Sequence, residues 1–244
     1  MRRRTLSIPS AIRAGLMLGI ALISPHGMAQ SQEEETFRFE FRVFGLHPGQ
    51  YDGIHFINPK GEPQEIDFRR RQRSQTYEYE STLPAAPITF FRIEKNGDDN
   101  LYRPVAQITP SPSWSEMLFL FQQPPDASPD SPLTVAAADD TVQNFPFGSL
   151  RVLNLTGIPL AGSIAKQLEE ISPGEWTDAF RFNKSGKVDV VFAAAGSEKF
   201  HLVYRKIIPL KNNSRTLLIL RPPNRVGSIR IAASTLQEFE SENP

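Results

Sequence analysis

The sequence predicts an all-β protein, two tandem immunoglobulin-like β-sandwich domains after a cleaved signal peptide. Three observations carry that expectation. Phe37, Phe39, Phe41 and Val43 alternate with Arg38, Glu40 and Arg42, the period-two pattern of a strand with one buried and one wet face. Turn-forming groups such as Asn58-Pro59-Lys60-Gly61 and Asn96-Gly97-Asp98 separate the runs. The order of runs then repeats at an offset of about 100 residues.

The first element is the signal, residues 1–29. Arg2, Arg3 and Arg4 open it, an apolar stretch runs from 14 to 23, and Gly27-Met28-Ala29 closes it with small residues. The apolar stretch is half the roughly 20 residues a membrane span requires, so the mature chain is expected to lack a span. The signal holds four Arg and no acid; of 27 basic residues 23 remain, against 27 acidic ones. With no Cys at all, a disulfide framework, a thiolate nucleophile and a thiolate metal site are excluded. The expected location is the periplasm or the extracellular space.

Residues 36–138 form the expected first domain, with strands at 37–43, 54–57, 65–68, 76–80, 88–93, 102–108, 117–121 and 133–137. Residues 145–240 form the second, with strands at 149–155, 164–168, 176–182, 187–192, 199–208, 215–220 and 228–233. Short strands at this spacing suit a sandwich. Residues 163–170 have a helical turn as their alternative. The continuous apolar runs Met117-Leu118-Phe119-Leu120-Phe121 and Leu217-Leu218-Ile219-Leu220 predict central strands covered on both faces. Residues 139–144 are the polar bridge. Residues 30–35 and 238–244 are expected to fray.

The repeat is visible in four pieces. Tyr102-Arg103-Pro104-Val105 matches Tyr204-Arg205-Lys206-Ile207. Residues 115–121 match 214–220, Pro124-Pro125 matches Pro222-Pro223, and Leu133-Thr134-Val135-Ala136-Ala137 matches Ile229-Arg230-Ile231-Ala232-Ala233. At the junction stand Ala138-Asp139-Asp140 and Phe145-Pro146-Phe147-Gly148-Ser149-Leu150-Arg151-Val152, with Ser172-Pro173-Gly174 further on. This junction resembles one in uncharacterised exported tandem β-sandwich proteins of Gram-negative bacteria, best over residues 100–235. The resemblance implies export and a double sandwich, and no catalytic residues.

Chemistry-bearing motifs are few. After export His47, His55 and His201 remain, without a carboxylate cluster at metal-ligand spacing. No phosphate-cradling Gly loop, Gly-x-Ser-x-Gly elbow or His-Glu-x-x-His occurs. No enzyme activity, cofactor or metal is expected. The neutral balance of 27 basic and 27 acidic residues argues against nucleic acid. The candidate binding residues are Arg69, Arg70, Arg71 and Arg73, the densest charge of the mature chain, and Trp114 in the loop Pro110-Ser111-Pro112-Ser113. Arg forks match phosphate or an anionic polymer bidentately. The plainer reading of this run is a solvated hairpin end facing Glu78 and Glu80. Tyr51, Tyr77, Tyr79 and Trp114 raise a sugar-binding alternative, although Tyr77 and Tyr79 on one strand face fit a core equally well. Trp176 is expected in the second core. A third alternative, a periplasmic chaperone, needs a free apolar edge strand, for which 37–43 is the candidate. The function expected is an exported, non-catalytic structural or interaction protein that contacts an envelope protein or polysaccharide.

Overall fold

Alternation at 37–43 yields strand β1 (Phe37–Gly45), with Phe39, Phe41 and Val43 buried and Arg38 and Glu40 exposed. The computed structural model of the chain describes residues 36–46, 51–83, 86–123, 128, 131–197 and 199–240. The expected signal, the run 30–35, His47, Pro124 and Pro125 lie outside them. After β1 come β2 (Ile54–Ile57), β3 (Pro63–Glu65), β4 (Tyr77–Ser81), β5 (Ile88–Asn96), β6 (Asp99–Ile108), β7 (Glu116–Gln122) and β8 (Thr134–Asp139). The second half gives β9 (Ser149–Asn154), β10 (Leu160–Ile164), β11 (Gln167–Ile171), β12 (Phe180–Arg181), β13 (Gly186–Ala195), β14 (Phe200–Leu210), β15 (Ser214–Arg221) and β16 (Ala232–Phe239).

The pairing repeats strand for strand. The first half makes sheets β4-β1-β7-β8 and β3-β2-β5-β6. The second makes β12-β9-β15-β16 and β11-β10-β13-β14, each strand replacing the one eight earlier. Both halves contain a parallel pair, β1 with β7 and β9 with β15. Both break register at one bulge, at Phe90/Phe91 and at Phe192/Ala193. The Ser74 hydroxyl accepts from Val43 N–H at 2.9 Å, as the Thr177 hydroxyl accepts from Val152 N–H at 3.0 Å. At the bulges Leu133 N–H donates to Val105 C=O at 2.7 Å and Ile231 N–H to Val203 C=O at 3.2 Å. Leu133 therefore corresponds to Ile231, not Ile229, and Tyr102 to Phe200, not Tyr204. The composition of the repeat is legible in the sequence, but two of its four pieces are misaligned there, since the structural partners are Phe200 rather than Tyr204 and Ile231 rather than Ile229.

Immunoglobulin domains place their first two strands in one sheet. Here β1 and β2 lie in different sheets, so the strand order is not the immunoglobulin one. The chain leaves β1 at Gly45, where a Cβ would stand 2.4 Å from the Tyr51 ring, and crosses to the opposite sheet.

Three apolar clusters stack the four sheets. Phe39, Phe41, Phe56, Phe90, Phe119 and Phe121 fill the first half, with edge-to-face pairs such as Phe90–Phe121 at 4.9 Å and 77°. An aliphatic core led by Val152, Val190, Leu218 and Leu220 fills the second. A third joins the halves through Phe44, Leu118, Leu120, Leu153, Leu217 and Ile219. Alternation explains this: on β7 Met117, Phe119 and Phe121 point one way and Leu118 and Leu120 the other. Both strands expected to be covered on two faces are so covered; all eight residues of β15 are buried.

Four local expectations are corrected. Residues 164–168 are neither one strand nor a helical turn but the end of a hairpin. Ala165 and Lys166 adopt φ of 51° and 71° between β10 and β11, a conformation that Asn-Gly usually signals and these residues do not. Residues 176–182 supply only the two-residue β12, because Trp176 pairs singly with Leu153 and packs on the joining core rather than the second core. The third strand covers 63–65, not 65–68; from Ile66 the chain turns inward. The last strand is Ala232–Phe239, not 228–233, so Glu238 and Phe239 do not fray but end β16, held by the ion pairs described below.

Candidate functional site

The run at 69–73 divides at the seam between the halves. Ser74, next to Arg73, is tied to β1 through both its N–H and its hydroxyl. That anchor turns Arg73 inward, and it is 7% exposed. Its Nε and Nη2 donate to Asp140 at 3.1 and 3.0 Å, and its Nη1 lies 3.3 Å from Glu238. Arg73 is thus not part of an exposed binding run, and it faces neither Glu78 nor Glu80; Glu80 pairs with Arg38 at 2.8 Å.

Arg42 of β1 bonds both Asp140 and Glu238. Arg215 of β15 donates through Nε to Glu238 at 2.7 Å and through Nη1 to the carbonyls of Asp140 and Phe145 at 2.8 and 3.0 Å. Its guanidinium lies over the Phe145 and Phe147 rings at 5.3 and 5.4 Å. Burial pushes the Asp140 carboxyl up, but Arg73, Arg215 and Arg42 outweigh it and hold the group below its ordinary value. Glu238 follows the same balance. Burial depresses Arg73 despite its acidic partners. Every member of this clamp is engaged with another, which makes it a structural device rather than a binding site.

The bridge at 139–144 is correspondingly ordered. Asp139 accepts from Thr141 N–H and hydroxyl at 3.0 and 2.7 Å, and Asp140 is 2% exposed. Gly148 of the junction sits at φ 75°, and a Cβ there would meet Asn212 C=O at 3.1 Å. The Phe-Pro-x-Gly-Ser pattern therefore has a local steric reason.

Arg69, Arg70 and Arg71 stay outside, on the wall of a cleft of about 710 Å³. Lys206 of β14 and Arg221 at the end of β15 face it from the second half. Its floor is apolar, with Phe44 and Leu46 on one side and Tyr51 stacked on Phe68 at 4.9 Å and 21°. Among the described residues no Asp or Glu lines it; Asp67, in one 3.3 Å contact with Arg69, does not. Arg71 is held at φ 60°, a left-handed conformation uncommon outside Gly, Asn and Asp. Burial lowers the Arg221 pKa, with Tyr51 acting against it.

The other candidates part from this place. Trp114 is half-buried and packs against the first core. Tyr51 and Tyr77 are core residues, and Tyr79 packs on Phe39 at 5.3 Å, so the four expected aromatics form no exposed sugar platform. His55 stacks on Phe91 at 6.1 Å, His201 is half-buried on β14, and among the described residues no group of His, Asp or Glu is placed to hold a metal. β1 lies between β4 and β7 and has no free edge for a chaperone's client strand.

Arg42, Asp140, Arg215, Glu238, Lys206 and Arg221 were not read from the sequence as site residues, although Asp140 stood in the junction motif. The repeat contained a signal for two of them. With Leu133 equivalent to Ile231, Asp140 is the counterpart of Glu238. No protein-family model matches the chain, and a search of curated proteins finds no relative.

Proposed function

We propose that the protein is an exported, non-catalytic interaction protein of the bacterial envelope, whose anionic partner, an envelope protein or a wall polysaccharide, seats in the basic cleft. One observation carries this: five cationic side chains from two halves converge on a cleft with no acid among its described lining residues, in a chain with equal numbers of basic and acidic residues. Such a wall focuses positive potential and recruits anions. Export is supported by the arginine-rich start, short apolar stretch and small-residue site at 1–29. In this reading residues 36–138 and 145–240 are two sandwich domains of one binding body, akin to the exported tandem proteins that the junction resembles.

The test is retention of the chain from Gln30 onward on an immobilised acidic polysaccharide. Wild type is expected to bind and to elute with salt, and Arg70→Glu/Arg71→Glu to pass through. Equal retention of both proteins would remove the cleft from the function.

A further inference from the structure

Resting on the anionic-partner reading, the cleft lining narrows the class of anion. We infer that the cleft takes a ligand carrying more than one phosphoryl group, held from both halves at once. Four of the five cations are Arg, and the guanidinium fork meets two oxygens of one phosphoryl group. A carboxylate brings one charge, whereas a phosphomonoester brings about 1.5 to 2 and three acceptor oxygens. Arg69 meets Asp67 at 3.3 Å outside the lining, but Arg70, Arg71 and Lys206 share a lining with no acid among its described residues, and a polyvalent anion relieves their mutual repulsion most fully. The charges are divided: Arg69, Arg70 and Arg71 belong to the first half, Lys206 and Arg221 to the second. The cleft of about 710 Å³ is in the range of ligand pockets and has room for more than one phosphoryl group. Ser234 and Thr235 of β16 add hydroxyl donors to the second wall. Phe44, Leu46, Tyr51 and Phe68 give the lining an apolar part, and a low-dielectric neighbour strengthens each ion contact beside it.

The test is calorimetric titration of the chain from Gln30 onward, with inorganic tripolyphosphate as probe and citrate as the polycarboxylate comparison. Tripolyphosphate is expected to bind at least tenfold more tightly than citrate. Arg70→Glu/Arg71→Glu and, separately, Lys206→Glu are each expected to weaken it about tenfold or more, the scale of one charged hydrogen bond. Arg38→Glu, which does not line the cleft, is expected to change nothing. Unfolding midpoints verify that each variant is folded, with Arg70→Gln replacing the double variant if that one is not. Equal affinity for citrate overturns the phosphoryl class while the anionic-cleft reading stands. Binding of neither probe, nor of any acidic polymer, overturns both. Unchanged affinity in Lys206→Glu overturns the hold from two sides. Two further arms locate the phosphates. Capture by phosphatidic acid vesicles, displaced by tripolyphosphate, assigns them to a lipid headgroup. Binding to soluble polyphosphate without vesicle capture assigns them to a polymer.

Discussion

Replacing Asp140 by Asn keeps the shape of the clamp and removes one charge from its centre. Arg73 meets that carboxylate through two bonds of 3.1 and 3.0 Å, Arg42 through another, and Arg215 lies 3.6 Å away. The clamp then goes from three Arg against two acids to three against one. At about 3 Å and an effective dielectric near 20 each contact is on the order of 5 kcal/mol gross. Most of that only offsets the cost of desolvating the ions. Breaking a buried pair from one side leaves about 3–5 kcal/mol net, or about 10 °C in midpoint for a unit of this size. The assay is thermal and urea unfolding followed by near-ultraviolet dichroism. Arg38→Ala is the comparison, because its pair with Glu80 has an Arg side chain 72% exposed and is expected to contribute less than about 1 kcal/mol. Adding Arg73→Met to Asp140→Asn should restore part of the loss by removing an uncompensated charge. A midpoint change below about 2 °C for Asp140→Asn would falsify the reasoning, since the clamp would then be a surface network in energetic terms.

Three further outcomes follow from the same seam and its junction. Asp140 and Glu238 lie below their ordinary pKa values, burial being outweighed by Arg73, Arg215 and Arg42; such groups add stability above their unfolded values of about 3.9 and 4.3, and it is lost as pH falls through the folded ones. The urea midpoint should therefore be level from about pH 7 to 5 and drop below about 4, with a shallower drop in Asp140→Asn. Glu116, raised by burial although Arg42 and Arg215 pull it down, works weakly in the opposite sense; a midpoint indifferent to acid down to pH 3 contradicts the pair. Trp114→Phe leaves Trp176, on the joining core, as the one Trp fluorophore, and Trp176→Phe leaves Trp114, on the first core. Their unfolding curves should have one common midpoint, and two separated transitions would show that the joining core does not couple the halves. Gly148→Ala should cost about 1–2 kcal/mol, from φ 75° and the Asn212 carbonyl at 3.1 Å; a change under 0.5 kcal/mol, about the scatter of neutral surface substitutions, argues against that steric account.

What was legible in the sequence follows the range of each interaction. Alternation at 37–43 and the unbroken runs at 117–121 and 217–220 report directly on which faces are covered, so the strands and their two-sided burial could be read. Pairing order could not, because β1 meets β7 across more than 70 residues and no local pattern encodes that partner. The type of residue at 69–73 pointed to the right segment, but Arg73 looks identical to its neighbours until Ser74 is fastened to β1. Lys206 and Arg221 join Arg69, Arg70 and Arg71 only once the halves meet. Trp114 is less exposed than its loop suggests for a simpler reason: residues flanked by Pro and Ser look exposed, yet a large aromatic at the start of a central strand gains by covering the core.

The two halves meet through the same face of the same sheet, and this predicts how a separated half behaves. Leu118 and Leu120 of β7 have Leu217 and Ile219 of β15 as counterparts, Phe44 of β1 has Leu153 of β9, and Ala138 of β8 has Leu236 of β16. An interface built from equivalent patches is the arrangement that lets identical subunits pair. Residues 36–144 alone would present Phe44, Leu46, Leu118, Leu120 and Ala138 to water, together with Asp140 and Arg73 lacking Arg215 and Glu238. A patch of that kind is a contact surface by its composition. The isolated first half is therefore expected to self-associate, as a dimer or an aggregate, in sedimentation and light scattering. Leu118→Lys/Leu120→Lys within the fragment should render it monomeric. A wild-type fragment that stays monomeric and unfolds as cooperatively as the full chain would mean that the joining core is incidental, and the clamp with it.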